Sequence, residues 1–241
     1  MCRRVINRFL ALTAFIVLSL TILPLHALEV DAGLLVYRVE APDDAAYINR
    51  LLVTADYVRL DQGEQDPGFI LFDRRERVIY SVNATERSIL VIDPAEKNNQ
   101  HLPDDLRLEI RSNKNHDVPE IAGIKPQHWQ LMANGTICRE AFVLPSTMTE
   151  VISAYGEYLT VLAAQQAVAL ATLPNEFRDA CDSVVHAYAP DAFIQKGLPV
   201  KIWSDQGYGE ELVDFQASFK ISAEHFSLPE DYQQVPMGIG G

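Results

Sequence analysis

Cysteine is scarce: three residues in 241, with no Cys-x-x-Cys pair. A catalytic dithiol normally wants its cysteines close in sequence, so redox catalysis is set aside. Basic residues are short too, 20 Lys and Arg against 33 Asp and Glu, for a formal charge of −13. Such a chain is poorly suited to neutralising phosphates, which excludes nucleic acid as a partner and argues against electrostatic docking on anionic lipid. No Gly-x-Ser-x-Gly elbow is present, so His186 and His225 have no such nucleophile to serve. The terminal "GIGG" is followed by neither lysine nor helix; it is not a phosphate loop and reads as a frayed tail.

Metal and acid–base chemistry find little support. His101, His116 and His128, with Asp104, Asp105 and Asp117, match no metal-ligand spacing and read as solvated loop residues. The acid pairs Asp43-Asp44, Asp104-Asp105 and Glu210-Glu211 could supply a general acid and base, but neighbours on a strand point to opposite faces, so they read as solvated turns. No metal, cofactor or catalytic residue is predicted. A hydrolase using Asp104, Asp105 and Asp117 is the reading set against this.

What the chain does have begins at residues 1–27. Arg3, Arg4 and Arg8 precede an apolar run from Phe9 to Leu23, then Pro24 and Ala27, the layout of a secretory signal peptide. Cleavage after Ala27 would remove three arginines and no acid, taking the charge from −13 to −16. An uncleaved anchor is the competing reading, and membrane contact is then expected through that segment alone. Export to the periplasm is the predicted localisation. Loss of Cys2 leaves Cys138 and Cys181 in an oxidising space. Paired, they close a loop of about 43 residues, worth about 3 to 4 kcal/mol in the chain-entropy model. Two separate buried thiols are the alternative.

Residues 28–241 read as one domain. Short alternating runs predict strands at Gly33–Glu40, Ala46–Asp61, Phe69–Asp73, Arg77–Asn83, Ser88–Asp93, Leu106–Ser112, His128–Ala133 and Ile137–Leu144. Turn signals such as Asn83-Ala84 and Asn134-Gly135 separate them, and the turn reading is preferred to the glycosylation sequons that both also spell. Over about 146–188 the period becomes helical. Thr147-Met148-Thr149-Glu150 fits a capping box, Met148, Val151, Ile152, Tyr155, Leu159 and Leu162 share a face, and Pro174 opens a second helix. Strands return at Leu198–Ser204 and Glu211–Ile221. The predicted fold class is α+β: a curved antiparallel sheet with a helical pair covering one face.

Four stretches carry a resemblance: "LLVTADYVRLDQ", "GFILFDRRERVIYSVNATERSILVID", "GLPVKIWSD" and "HFSLPEDYQQV". They resemble bacterial envelope proteins of the domain-of-unknown-function class DUF4412, themselves similar in fold to the lipoprotein carriers LolA and LolB. The resemblance implies a strongly curved, incomplete barrel with helices as a lid over an apolar hollow. The long Ala-rich helical segment is bulky for such a lid, and no residue set here matches a lipoprotein-handling site.

The candidate site is therefore a surface. Phe69, Phe72, Tyr80, Val82, Ile89, Val91, Trp129, Trp203, Phe215 and Phe219 either pack a closed core or line a hollow. The leading functional expectation is a non-enzymatic periplasmic binding or carrier module for a lipid, lipoprotein or other apolar ligand, gated by the helices. The alternative is a structural or protein-interaction component of the envelope with a solid core and no ligand. In the first case the disulfide fixes one helix and leaves the helix from Met148 freer to move.

Overall fold

Leu35, Tyr37 and Val39 alternate with Leu34 and Val36 along β1 (Glu29–Glu40), and both sets are covered. A strand apolar on both faces belongs at the middle of a two-sided sheet. In the computed structural model, which describes residues 28–63, 67–95, 102–113, 118–174 and 177–237, that is where it lies. The expected signal segment, Cys2, His101, His116, Asp117 and the terminal Gly-Ile-Gly-Gly fall outside the described residues.

The remaining strands are β2 (Tyr47–Val53), β3 (Tyr57–Asp61), β4 (Phe69–Asp73), β5 (Val78–Asn83), β6 (Ser88–Ile92), β7 (Leu108–Asn113), β8 (Gln127–Ala133), β9 (Thr136–Leu144), β10 (Leu198–Trp203), β11 (Gly209–Ser222) and β12 (Gln233–Pro236). Helices α1 (Thr149–Thr172) and α2 (Ala180–Ser183) fall between β9 and β10. The twelve described strands form one curved, unclosed sheet in the order β12-β6-β5-β4-β3-β2-β1-β11-β10-β9-β8-β7. It consists of two antiparallel meanders, β1 to β6 and β7 to β11, joined by the long β1–β11 pairing. Only β12, added beside β6, runs parallel to its neighbour.

The predicted α+β class holds, and the expected hairpins fall close to their places. Asn134 and Gly135 both take positive φ, as a two-residue hairpin turn demands. Three details differ. The single strand expected over Ala46–Asp61 breaks at Thr54, where the Thr54 hydroxyl accepts from the Tyr57 amide and the Thr54 amide donates to the Tyr57 carbonyl, turning the chain back. The capping box does not form: Met148 is the N-cap, in a left-handed conformation, and the Thr147 hydroxyl donates to the Pro145 carbonyl instead. The second helix starts at Ala180 rather than Pro174, because the Asp179 carboxylate accepts the Asp182 amide and sets the N-terminus there. It is one turn long and runs into a π-helical turn at Val184–Tyr188, while Phe177, expected on its inner face, is exposed.

Helix α1 covers the first meander. Val151, Ile152, Tyr158 and Val161 pack on Leu35, Val53, Phe72 and Ile79 in one continuous core. The helix approaches so closely that a Cβ on Gly33 would lie 2.2 Å from a Val151 methyl. Arg74 grips Glu157 with two hydrogen bonds of 2.9 and 2.8 Å, and Gln165 donates to the Asp93 carbonyl. The long helix is thus pinned along its length and is not the loose element that the sequence implied. The second helical body sits over β8 and β9, where Val184, Val185 and Phe193 meet Leu131 and Ala141. The disulfide between Cys138 of β9 and Cys181 of α2 fastens it, as the cysteine count predicted. Among the described residues, no helix is long and apolar enough to cross a membrane.

The opposite face of the sheet is also occupied. Leu34, Leu52 and Leu71 form a separate core with Phe226, carried by the chain after β11. Here Asp61, 4% exposed, accepts from Arg50 at 2.7 Å and Arg59 at 2.8 Å, and Arg59 also donates to the His225 carbonyl. Burial pushes the Asp61 carboxyl upward, but the two guanidinium groups outweigh it and hold the pKa below the ordinary value.

Candidate functional site

The helical bodies cover different halves of the sheet, and between them a cleft of about 260 Å³ remains. Its helical wall is apolar: Leu159 and Leu162 of α1, Val185 of the π-helical turn, and Phe193 and Ile194 beyond it. The floor is the sheet, from Tyr37 of β1 across β10 and β11 to Leu131 of β8 and Arg139 of β9.

The sheet also brings charge into the cleft. Glu210 pairs with Val39 across the β1–β11 ladder, and Val39 belongs to the helix-side core, so Glu210 points under the helices. Tyr208, two residues earlier, donates its hydroxyl to the Glu210 carboxylate. Arg139, opposite Leu131 in the β8–β9 ladder, reaches in from the other meander and stacks over the Tyr208 ring at 4.3 Å. His186 stands at the mouth with Gln166, open to solvent on its outer side and with its ring partly desolvated against the cleft.

Burial dominates the titration of these groups. It raises the Glu210 carboxyl above its ordinary value, although the Tyr208 hydrogen bond and Arg139 oppose it. Burial also raises the Tyr155 and Tyr208 hydroxyls, reinforced by the Glu210 charge. Tyr37, raised for the same reasons, donates to the Pro199 carbonyl at 3.0 Å. Burial, then Arg139, lowers the His186 pKa. The cleft therefore disfavours both a carboxylate at Glu210 and an imidazolium at His186.

Among the described residues, Arg139 has no hydrogen-bond acceptor and no carboxylate at ion-pair distance. An apolar wall with a few convergent polar groups is the usual make-up of a small-molecule site, although such pockets commonly measure roughly 300–1,000 Å³. A larger and shallower groove of about 630 Å³ runs along the far flank of α1, but short polar side chains such as Ser146, Thr149, Ser153 and Thr160 line much of it.

The ten residues singled out from the sequence do not converge on this cleft. Phe72 is fully buried in the helix-side core, 6.0 Å from the Tyr158 ring. Phe69, Val82 and Ile89 make one cross-strand row on the opposite face, and Tyr80 pairs with Val91 in the adjacent row of that face. Trp129 packs in the core under α2, with the Lys196 ammonium 4.9 Å from its ring. Trp203 stacks on His128 and Phe142, on the side of β10 away from Ile202 and the cleft. Phe215 pairs with Leu35 and packs against the helix-side core, whereas Phe219 pairs with Ala32 and joins the opposite one.

The sequence places Glu210 in a solvated acid pair. It lies instead within β11, inside the cleft, while Glu211 faces the other way and pairs with exposed Arg38. The signal that marks it is Tyr-x-Glu-x-Leu at 208–212, polar and apolar side chains on one strand face. His128 is buried beside Glu140, 2.9 Å away. Among the described residues, no group of three or more His, Cys, Asp or Glu could hold a metal ion.

No family model matches the chain, and no curated protein matches it. Similar solved structures include an uncharacterised conserved protein from Thermus thermophilus, with 11% identity, 86% of this chain and 90% of the other covered, and a TM-score of 0.43. PNGF-II is also similar, in a C2 and a P21 crystal form, with 8% identity, 86% of this chain covered, and TM-scores of 0.39 and 0.40. The chain spans about a third of the length of PNGF-II, 31% and 32% in the two forms.

Proposed function

We propose that this protein is a non-enzymatic binding module of the bacterial envelope, exported to the periplasm, that holds a small apolar or amphipathic ligand between its helices and its sheet. The cleft of about 260 Å³ at the seam of the two helical bodies carries this reading. A structural component with a solid core would instead close its helices on the sheet at that seam. The apolar wall supplies the driving force, about 25 cal/mol per Å² of surface removed from water.

The volume narrows the ligand class expected from the sequence. A cleft below the usual ligand-pocket range suits a single short chain or ring, not the multiple acyl chains of a lipoprotein. The Arg74–Glu157 grip and the disulfide hold the two sides of the cleft in place.

The test is titration of the purified 28–241 chain with a fluorescent fatty-acid analogue, together with native mass spectrometry of protein isolated from the envelope under mild conditions. Saturable binding with one-to-one stoichiometry, lost in Leu162→Trp, is expected. Absence of saturable binding, or binding that Leu162→Trp leaves unchanged, overturns the proposal.

A further inference from the structure

We infer that the cleft selects an amphipathic anion: a single-chain carboxylate whose head is held by the Arg139 guanidinium and whose tail lies along Leu159, Leu162, Val185 and Phe193. The inference rests on the reading of the cleft as a ligand site and adds the chemistry of the head group.

Arg139 carries the argument. Its guanidinium presents five N–H donors in a planar fork that matches a carboxylate. Among the described residues none of these donors meets an acceptor, and the guanidinium rests on the face of the Tyr208 ring, 4.3 Å from its centroid. Stacking of that kind orients the plane of the fork and leaves its N–H edges available. The guanidinium is only half-buried where it lines the cleft, so an anion entering there meets N–H donors that no protein acceptor engages among the described residues. Glu210 is in the opposite condition, since Tyr208 already donates to it.

Glu210 also gives the site a proton linkage. The groups facing it are Arg139 from β9, Tyr208 on its own strand's approach, Tyr37 from β1, Tyr47 from β2 and Tyr155 from α1, with His186 across the cleft. Arg139 is the one cation in the set, and burial already favours the neutral carboxyl. A second anion on Arg139 would offset the attraction that opposes burial at Glu210 and so push the carboxyl pKa further upward, which links binding to proton uptake there. Neutral Glu210 then has an O–H to donate. Affinity for an anion accordingly falls as pH rises through the Glu210 pKa, whereas affinity for a cationic amphiphile would rise.

The experiment compares decanoate, decanol and decylammonium by displacement of the fluorescent probe between pH 6 and pH 8, where decanoate stays ionised. Wild type, Arg139→Gln and Arg139→Lys are measured. Decanoate is expected to bind about tenfold or more tightly than decanol, Arg139→Gln to remove that advantage, and Arg139→Lys to fall between them. Any change in decanoate affinity across that range should be a weakening at higher pH, accompanied by proton uptake in calorimetry. Equal binding of decanoate and decanol, or preference for decylammonium, overturns the anion assignment while leaving the cleft as a ligand site. Failure of all three to displace the probe, or of the probe to bind, overturns both. A cooperative thermal melt of Arg139→Gln near the wild-type temperature shows that the variant is folded.

Discussion

Breaking the Cys138–Cys181 bond should cost this domain a large part of its stability, and the size of the loss can be worked from the fold. The bond closes a loop with a sequence separation of 43. In the chain-entropy model a loop of that length removes about 13 cal/mol/K from the unfolded chain, or about 4 kcal/mol at 25 °C. Domains commonly hold about 5 to 15 kcal/mol in all. For a chain of this size each kcal/mol moves the melting temperature by about 2 to 4 °C, so reduction should lower it by roughly 8 to 16 °C. Reduction is a cleaner perturbation than substitution, since Cys138 is buried in the core under α2 and shortening it would add a packing loss. The assay is thermal unfolding with and without reductant, with thiol labelling to prove that both sulfurs are free. Hydrogen exchange should quicken first over 180–188 and leave α1 protected, because α1 keeps its own core and the Arg74–Glu157 pair. A shift under about 2 °C on complete reduction would refute the reasoning, and would mean that the reduced unfolded chain keeps this loop closed by other contacts.

The opposite face and the helix approach supply further predictions. Asp61→Asn leaves Arg50 and Arg59 without their counter-ion, and the loss should be about 3 kcal/mol, the low end for a broken buried pair, because the Arg50 side chain is 30% exposed and can reach water. Urea unfolding at unchanged m measures it. The folded pKa of Asp61 lies below its unfolded value near 3.9, so its contribution is present above that pH and lost as pH falls through the folded pKa. An acid-unfolding limb of the same depth in wild type and Asp61→Asn would sink this account. Gly33→Ala should destabilise by about 1 to 3 kcal/mol through the clash with Val151, and Val151→Ala in the same chain should recover part of that loss. Simple additivity of the two changes would count against the close approach.

Much of the sheet was legible because its hairpins are local. The runs around Phe69–Asp73, Val78–Asn83 and Ser88–Ile92 are short and apolar, and each of the two turns between them opens on a residue, Asp73 or Asn83, whose side chain accepts backbone amides, although Arg77 and Arg87 take the left-handed positions. The pairing of β1 with β11 was not legible, since the strands lie far apart in sequence and no local signal records the partnership. The alternation of Val213, Phe215, Ala217, Phe219 and Ile221 reads as one apolar face. The register shift between Ala32 and Leu34 in the β1–β11 ladder breaks that periodicity between Phe215 and Phe219, so the two serve different cores. The short parallel β12 escapes notice because four residues with two glutamines and a proline carry no strand pattern of their own.

The candidate site was hidden by the same two-sidedness. The sequence points to a hollow among large apolar residues, as a one-sided sheet under a lid would have it. In this sheet both faces are packed, and the aromatic residues are consumed in filling them: Phe72 against α1, Phe69 against Arg59, Trp203 against His128. Space remains where packing stops, at the seam between the core built on α1 and the core built on α2, above the junction of the two meanders. A seam that opens past Gln166 and His186 tolerates ionisable groups that neither core could hold. Glu210, Tyr208 and Arg139 occupy it, drawn from the chain on either side of the helical insertion. A candidate site in such a fold is then to be sought among polar residues that a strand ladder turns inward, not in the longest apolar runs.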